Sequence, residues 1–147
     1  MKPSVRIAII GTGFSGLGMG IKLKEAGYND FVILEQGDDI GGTWHENHYP
    51  GCACDVQSAL YSFSFEQNPN WTRMFARQEE IKAYLKHCAE KYGLMEHIKL
   101  NTHLAGARFD ENRHHWNLET CDAPALWSYM ENRGLVAGDP LDRSDEL

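Results

Sequence analysis

The residues best suited to chemistry lie between Val5 and Gly42. Gly11, Gly13 and Gly16 form G-x-G-x-x-G directly after the apolar run Ile7, Ala8, Ile9, Ile10. In a strand–turn–helix setting each glycine has a separate task. Gly11 permits a tight turn, Gly13 lets bare backbone approach a pyrophosphate, and Gly16 lets helix and strand pack closely. The helix that follows points free N–H groups and a positive dipole end at the phosphates. Glu35 stands about 20 residues after the turn, where an acid can accept hydrogen bonds from a ribose diol. An acid there suits the adenosine ribose of NAD or FAD and disfavours a 2′-phosphate. A second glycine pair, Gly41-Gly42, follows shortly after Glu35 and offers a further stretch of bare backbone.

These residues need a β-α-β unit to hold them. The expected first strand is 5–10, the first helix 15–26 with Gly27 as its stop, and the second strand 31–35. Residues 36–57 are rich in Gly, Asn, His and Pro, and so long an irregular stretch marks a functional loop. Residues 58–66 read as a short helical turn and an extended piece. Ile81, Tyr84, Leu85, Cys88, Ala89 and Tyr92 recur at helical spacing and predict a helix over 78–92. Strands are expected at 97–101, 104–109 and 115–119, with a turn at 110–113. The fold class is α/β: a Rossmann-like, three-layer domain with a small β-hairpin layer, incomplete at its C-terminus. The expected division is a dinucleotide-binding domain over 1–120 and a divergent tail over 121–147.

Composition narrows the function. The chain has 147 residues and a formal net charge of -7. Its mean hydropathy is -0.48 and its pI about 5.4. An acidic chain of this kind argues against nucleic-acid and anionic-membrane partners. A dinucleotide remains compatible, because backbone amides would hold its phosphates. The N-terminal apolar run is taken up by the first strand and carries no cleavage signal, so a cytoplasmic location is expected. Cys52, Cys54, Cys88 and Cys121 are then expected as thiols. His45, His48, Cys52 and Cys54 form H-x2-H-x3-C-x-C, which matches no standard zinc spacing, and no metal site is expected. Cys88 reads as a core residue, Trp71 and Trp116 as packing residues, and Asp38-Asp39 as solvated charges.

The run from Gly41 to Tyr61, GGTWHENHYPGCACDVQSALY, resembles the class B flavoprotein monooxygenases, and among them the Baeyer–Villiger monooxygenases. The matching residues are Gly41, Gly42, Thr43, Trp44, Asn47, Tyr49, Pro50, Gly51, Cys54 and Asp55. The segments NWTRMFARQEEIKAYLKHCAEKYGL and HIKLNTHLAGARFDENRHHWNLET continue the likeness, which covers about residues 5–120. The resemblance favours FAD over NAD. It implies an oxidoreductase that reduces FAD with NADPH and uses oxygen to convert a ketone to an ester, or a sulfide or amine to its oxide. It also implies site residues. Gly11, Gly13, Ser15 and Gly16 would cradle the pyrophosphate and Glu35 the ribose. Thr43 and Trp44 would lie on the flavin side, with Asp55 near the isoalloxazine and Tyr61 as a further contact. Leu104 would offer backbone near the adenine. Phe14, Gln36 and Gly42 complete the cofactor-binding set. No acid–base or nucleophilic catalyst is expected, since the flavin carries the chemistry.

Several family features are missing from these 147 residues. There is no second G-x-G-x-x-G for NADPH and no F-x-G-x-x-x-H-x-x-x-W segment. Cys52 and Ala53 replace a small residue and an arginine, and His45 and Glu46 replace aromatics. The sequence therefore reads as the FAD-binding part of a truncated monooxygenase, inactive alone or completed by a second chain. The alternatives are a NAD- or FAD-binding module of another oxidoreductase, one half of a split enzyme, and a non-catalytic remnant.

Overall fold

A computed structural model describes residues 4–122. Strand β1 (Ile7–Ile10) leads through a glycine turn into helix α1 (Phe14–Glu25), which returns to strand β2 (Phe31–Leu34). The one-turn helix α2 (Thr43–Glu46) and a 3-10 turn at Ser58–Leu60 interrupt the long loop. Helix α3 (Gln78–Lys91) and a second 3-10 turn at Met95–His97 precede strand β3 (Ile98–Lys99). Strands β4 (Thr102–Asp110) and β5 (His115–Asp122) complete the described chain.

The first three strands form a parallel sheet in the order β1-β2-β3. Ile7 pairs with Phe31 and Ile10 with Leu34, while Ile33 pairs with Ile98. β1 starts at Ile7 rather than at the expected Val5. Its partner strand begins only at Phe31, opposite Ile7, which leaves Val5 without a ladder. Parallel strands require a crossover between them, and α1 supplies it.

The core lies between the sheet and two helices that touch each other. Leu17 and Ile21 of α1, Ile33 of β2, and Ile81, Leu85 and Cys88 of α3 are fully buried in one cluster. The helical periodicity of α3 predicted this face, including Cys88 as a packed thiol. A Cβ at Gly20 would come within 3.0 Å of the Ile33 side chain and 3.2 Å of Leu94, so the small residue sets how closely α1 approaches the sheet. Phe14, Tyr61, Phe63, Trp71 and Tyr84 extend the core as an aromatic group.

The loop after β2 is more ordered than its composition suggests. Its backbone at Cys52–Cys54 runs antiparallel along 76–78. Cys54 N–H donates to the Ala76 carbonyl at 2.9 Å, and Gln78 N–H donates to the Cys52 carbonyl at 3.1 Å. Buried Ser58 pins the next stretch. Its hydroxyl faces the Arg73 and Met74 carbonyls at 2.9 and 3.0 Å and accepts from Ala76 N–H at 2.9 Å.

The structure refines four expectations. The extended run foreseen over 97–101 is two residues of β3. His97 belongs to a 3-10 turn, and Asn101 has φ of +52°, a left-handed value that asparagine tolerates and that ends the strand. Asp38 is solvent-exposed as expected and Asp39 is half-buried, and both have partners. Asp38 meets His45 at 2.7 Å, and Asp39 meets Lys82 at 3.0 Å and Lys86 at 3.6 Å. Trp116 packs as expected, but against Phe109 across the hairpin, and it is 62% exposed. The tail expected from 121 begins inside β5, where Cys121 pairs with His103 and Asp122 with Thr102. The rest of that tail lies outside the described residues.

Candidate functional site

The site forms at the carboxyl ends of β1 and β2, where ligands of open α/β sheets bind. Gly11 turns the chain away from β1 with φ of +88°, and its N–H donates to the Leu34 carbonyl at 2.8 Å. A Cβ at Gly16 would lie 1.9 Å from the Gly11 carbonyl oxygen. Gly16 is therefore demanded by the packing of α1 on the turn.

Gly13 is different. Its φ and ψ of -73° and -174° are open to any residue. A Cβ there would meet nothing closer than the Gly42 Cα, at 3.9 Å. Neither backbone conformation nor internal packing asks for glycine at this position, yet it lines the groove directly. It is also the N-cap of α1. No side chain caps that helix, and its first turn carries no acid. The first N–H groups of α1 are thus left without a capping side chain at the groove, and no acid in its first turn offsets the positive dipole end.

Two clefts meet at this turn. One, of about 320 Å³, lies between the turn, Leu34–Gln36 and Thr102–Leu104. The other, of about 330 Å³, runs over Phe14, Ser15 and Gly16 towards Thr43, Trp44 and Tyr61. Both are lined by Ile10, Gly11 and Gly13. Of the residues singled out in the sequence, Glu35, Gln36, Gly42 and Leu104 line the first cleft, and Thr43, Trp44 and Tyr61 the second. Asp55 lines neither. It is exposed, next to the backbone that Cys52 and Cys54 anchor to residues 76–78.

Gly42, with φ of +53°, brings the second glycine loop against the first. A Cβ on Gly42 would sit 3.0 Å from the Gly13 Cα. Trp44 is buried, and its indole N–H donates to the Tyr61 hydroxyl at 3.2 Å. Buried Gln78 donates its side-chain amide to the Trp44 carbonyl. His45 joins this loop to α3. Its Nε2 faces Asp38 at 2.7 Å and its Nδ1 faces the Lys82 ammonium at 3.0 Å. Both His45 nitrogens are thereby occupied. Among the described residues no group of three or more His, Cys, Asp or Glu side chains is placed to hold a metal ion.

Glu35 is 5% exposed, and both of its oxygens are engaged. Oε2 accepts from the Thr12 N–H at 2.8 Å and from the Thr12 hydroxyl at 2.6 Å. Oε1 accepts from Gly37 N–H at 2.8 Å. Burial by itself would raise its pKa. The hydrogen bonds from Thr12 and Gly37 outweigh burial and hold the carboxyl below the ordinary value. The sequence reading missed Thr12, Glu46, Thr102 and His103, all of which line the first cleft. Thr12 occupies a variable position between two motif glycines, and the others belong to no motif.

A β-α-β unit with a glycine turn, an uncapped helix N-terminus and an acid ending the second strand defines a Rossmann-like dinucleotide-binding domain. The family described as "NAD(P)-binding Rossmann-like domain" matches residues 9–78. A Baeyer–Villiger monooxygenase of Pseudomonas aeruginosa is 60% identical over 113 residues, which are 77% of this chain and 21% of that protein. One from Streptomyces coelicolor is 49% identical over 116 residues, 79% of this chain and 22% of that protein. Among solved structures, a steroid monooxygenase bound to NADP superposes with a TM-score of 0.76 at 34% identity, over 80% of this chain and 23% of that one. A closed cyclohexanone monooxygenase gives 0.75 at 32% identity, over 79% and 23%. The chain is homologous to the N-terminal part of the Baeyer–Villiger monooxygenases. It spans about a fifth of the length of these relatives.

Proposed function

We propose that this chain binds FAD in the double cleft and is the FAD-binding part of a flavin- and NADPH-dependent monooxygenase of the Baeyer–Villiger type. The observation that carries the reading is Gly13, a glycine with no need of its own to be one, at the uncapped start of α1. A pyrophosphate against bare backbone accounts for it. In this reading Gly11, Gly13, Ser15 and Gly16 meet the pyrophosphate, Glu35 and Gln36 face the ribose, and Leu104 lies on the adenine side. Gly42, Thr43, Trp44 and Tyr61 line the way to the flavin. Asp55 lines neither cleft, and it stays in the reading as a residue near the isoalloxazine only by the family resemblance. Bound FAD would supply the redox chemistry on a small ketone, sulfide or amine. The chain's own residues bind and orient it, and none is assigned acid–base work. All four cysteines are free thiols, in keeping with a reducing, cytoplasmic setting.

The test is a flavin titration of the purified chain by fluorescence quenching, with Gly13→Val alongside. The parent should bind FAD saturably and in preference to NADH. A Cβ at this position has room in the fold, and the valine branches occupy the phosphate path, so Gly13→Val should lose binding and keep its circular dichroism spectrum. Equal FAD affinity in parent and variant would remove the turn from the site. Binding of NADH in place of FAD would move the chain to another class of oxidoreductase.

A further inference from the structure

Thr12 is fully buried, although it lies in a turn that borders an open cleft. Its hydroxyl donates to Glu35 Oε2 at 2.6 Å and faces the Gly41 N–H at 3.4 Å, while the Thr12 N–H donates to the same Oε2 at 2.8 Å. One side chain thus joins the glycine turn, the end of β2 and the Gly41-Gly42 loop, the three segments that converge on the groove.

The consequence for Glu35 follows from counting acceptor sites. A carboxylate offers about four. Thr12 fills two on Oε2 and Gly37 fills one on Oε1. The remaining capacity is on Oε1, and the carboxylate cannot turn without breaking charge-assisted bonds. We infer that Thr12 is a positioning residue of this site, whose buried hydroxyl holds the Glu35 carboxylate in the one orientation that leaves Oε1 to receive a ribose hydroxyl. The inference rests on the FAD reading above. Thr12 touches no cofactor in this scheme and acts through Glu35. The titratable groups around Glu35 are His45 on α2 and, through Gln36, Glu46 at 3.3 Å and His103 at 3.1 Å.

The experiment measures FAD affinity of the full chain for the parent, Thr12→Val, Thr12→Ser, Thr12→Ala, Glu35→Ala and Thr12→Val/Glu35→Ala. Valine keeps the shape and deletes the hydroxyl. Thr12→Val should weaken FAD on the order of tenfold, the effect of one charge-assisted hydrogen bond. Thr12→Ser should restore affinity to within about threefold of the parent, which a packing role would not do. In the Glu35→Ala background the valine should cost nothing further, because the path runs through Glu35. The loss of affinity on acidification should also set in at higher pH in Thr12→Val, once the hydroxyl that favours the charged carboxylate is gone. Should Thr12→Val fail to fold, the ratio between Thr12→Ser and Thr12→Ala decides, with the serine expected to bind more tightly. Parent-like affinity in Thr12→Val, or an equal loss in the presence and absence of Glu35, overturns the inference and leaves the FAD reading standing. A parent chain that takes up no FAD overturns both.

Discussion

Glu35 shows how a single side chain joins fold to site. Its oxygens accept only N–H and O–H donors, so an isosteric amide cannot replace it. In Glu35→Gln the amide nitrogen must face either Gly37 N–H or the Thr12 donors, setting donor against donor. The variant should lose about 1–3 kcal/mol of stability at pH 7 by urea melt, despite unchanged shape. The pH dependence has a definite sign. The folded pKa lies below the ordinary value, so the contribution of Glu35 is complete above the unfolded pKa and is lost as pH falls through the folded one. The parent and Glu35→Gln should therefore converge in stability as pH drops below the ordinary carboxylate range. A gap that stays constant down to acid pH would mean that the Glu35 charge adds nothing. Gly13 makes the complementary case, since its lack of a side chain serves nothing inside the protein.

At the scale of elements, α1 and α3 carry the fold and the long loop carries the site. Ser58 closes the loop onto the segment before α3, and its oxygen is the acceptor for the buried Ala76 N–H. Ser58→Ala should cost about 1–3 kcal/mol in thermal or urea unfolding. It should also weaken FAD, because Tyr61 and Trp44 lose the support that follows from that anchor. An unchanged melting curve would mean that Ser58 is not an anchor. The elements also differ in how legible they were. α3 was plain because six residues at helical spacing all face one core. The β-α-β unit was plain because glycine, acid and apolar run each have a separate physical task. Helix α2 was invisible: four residues cannot show a period, and its order comes from Gln78 and His45 contacts distant in sequence. The ends of β1 and β3 were misjudged for a related reason, because strand limits depend on the partner strand and on the left-handed Asn101. Of the site, the motif residues were read directly. Thr12, Glu46, Thr102 and His103 entered only through folding.

At the scale of the whole molecule, the question is what these 147 residues can do as a polypeptide. They contain one glycine fingerprint, and they span about a fifth of the length of the relatives they match. Hydride transfer to a bound flavin requires the donor to be held against it, and that proximity is worth many powers of ten in rate. Both clefts described here converge on one glycine turn, and both are assigned to a single dinucleotide, FAD. Neither cleft then offers a pyrophosphate cradle to a second dinucleotide among the described residues. Water would also reach flavin bound along Trp44 and Tyr61, and exclusion of water is what keeps oxygen chemistry coupled to substrate. The 147-residue chain, loaded with FAD, should therefore bind flavin without coupling NADPH oxidation to oxygenation. The measurement mixes the flavin-loaded chain with NADPH, oxygen and a panel of ketones and sulfides, and follows flavin absorbance, peroxide and product together. Slow, non-saturable flavin reduction that ends in peroxide is the expected outcome. Saturable reduction with ester or sulfoxide formed in step would show that the groove beside Trp44 and Tyr61 accommodates both the reductant and the substrate, and that a single glycine turn suffices for a complete enzyme.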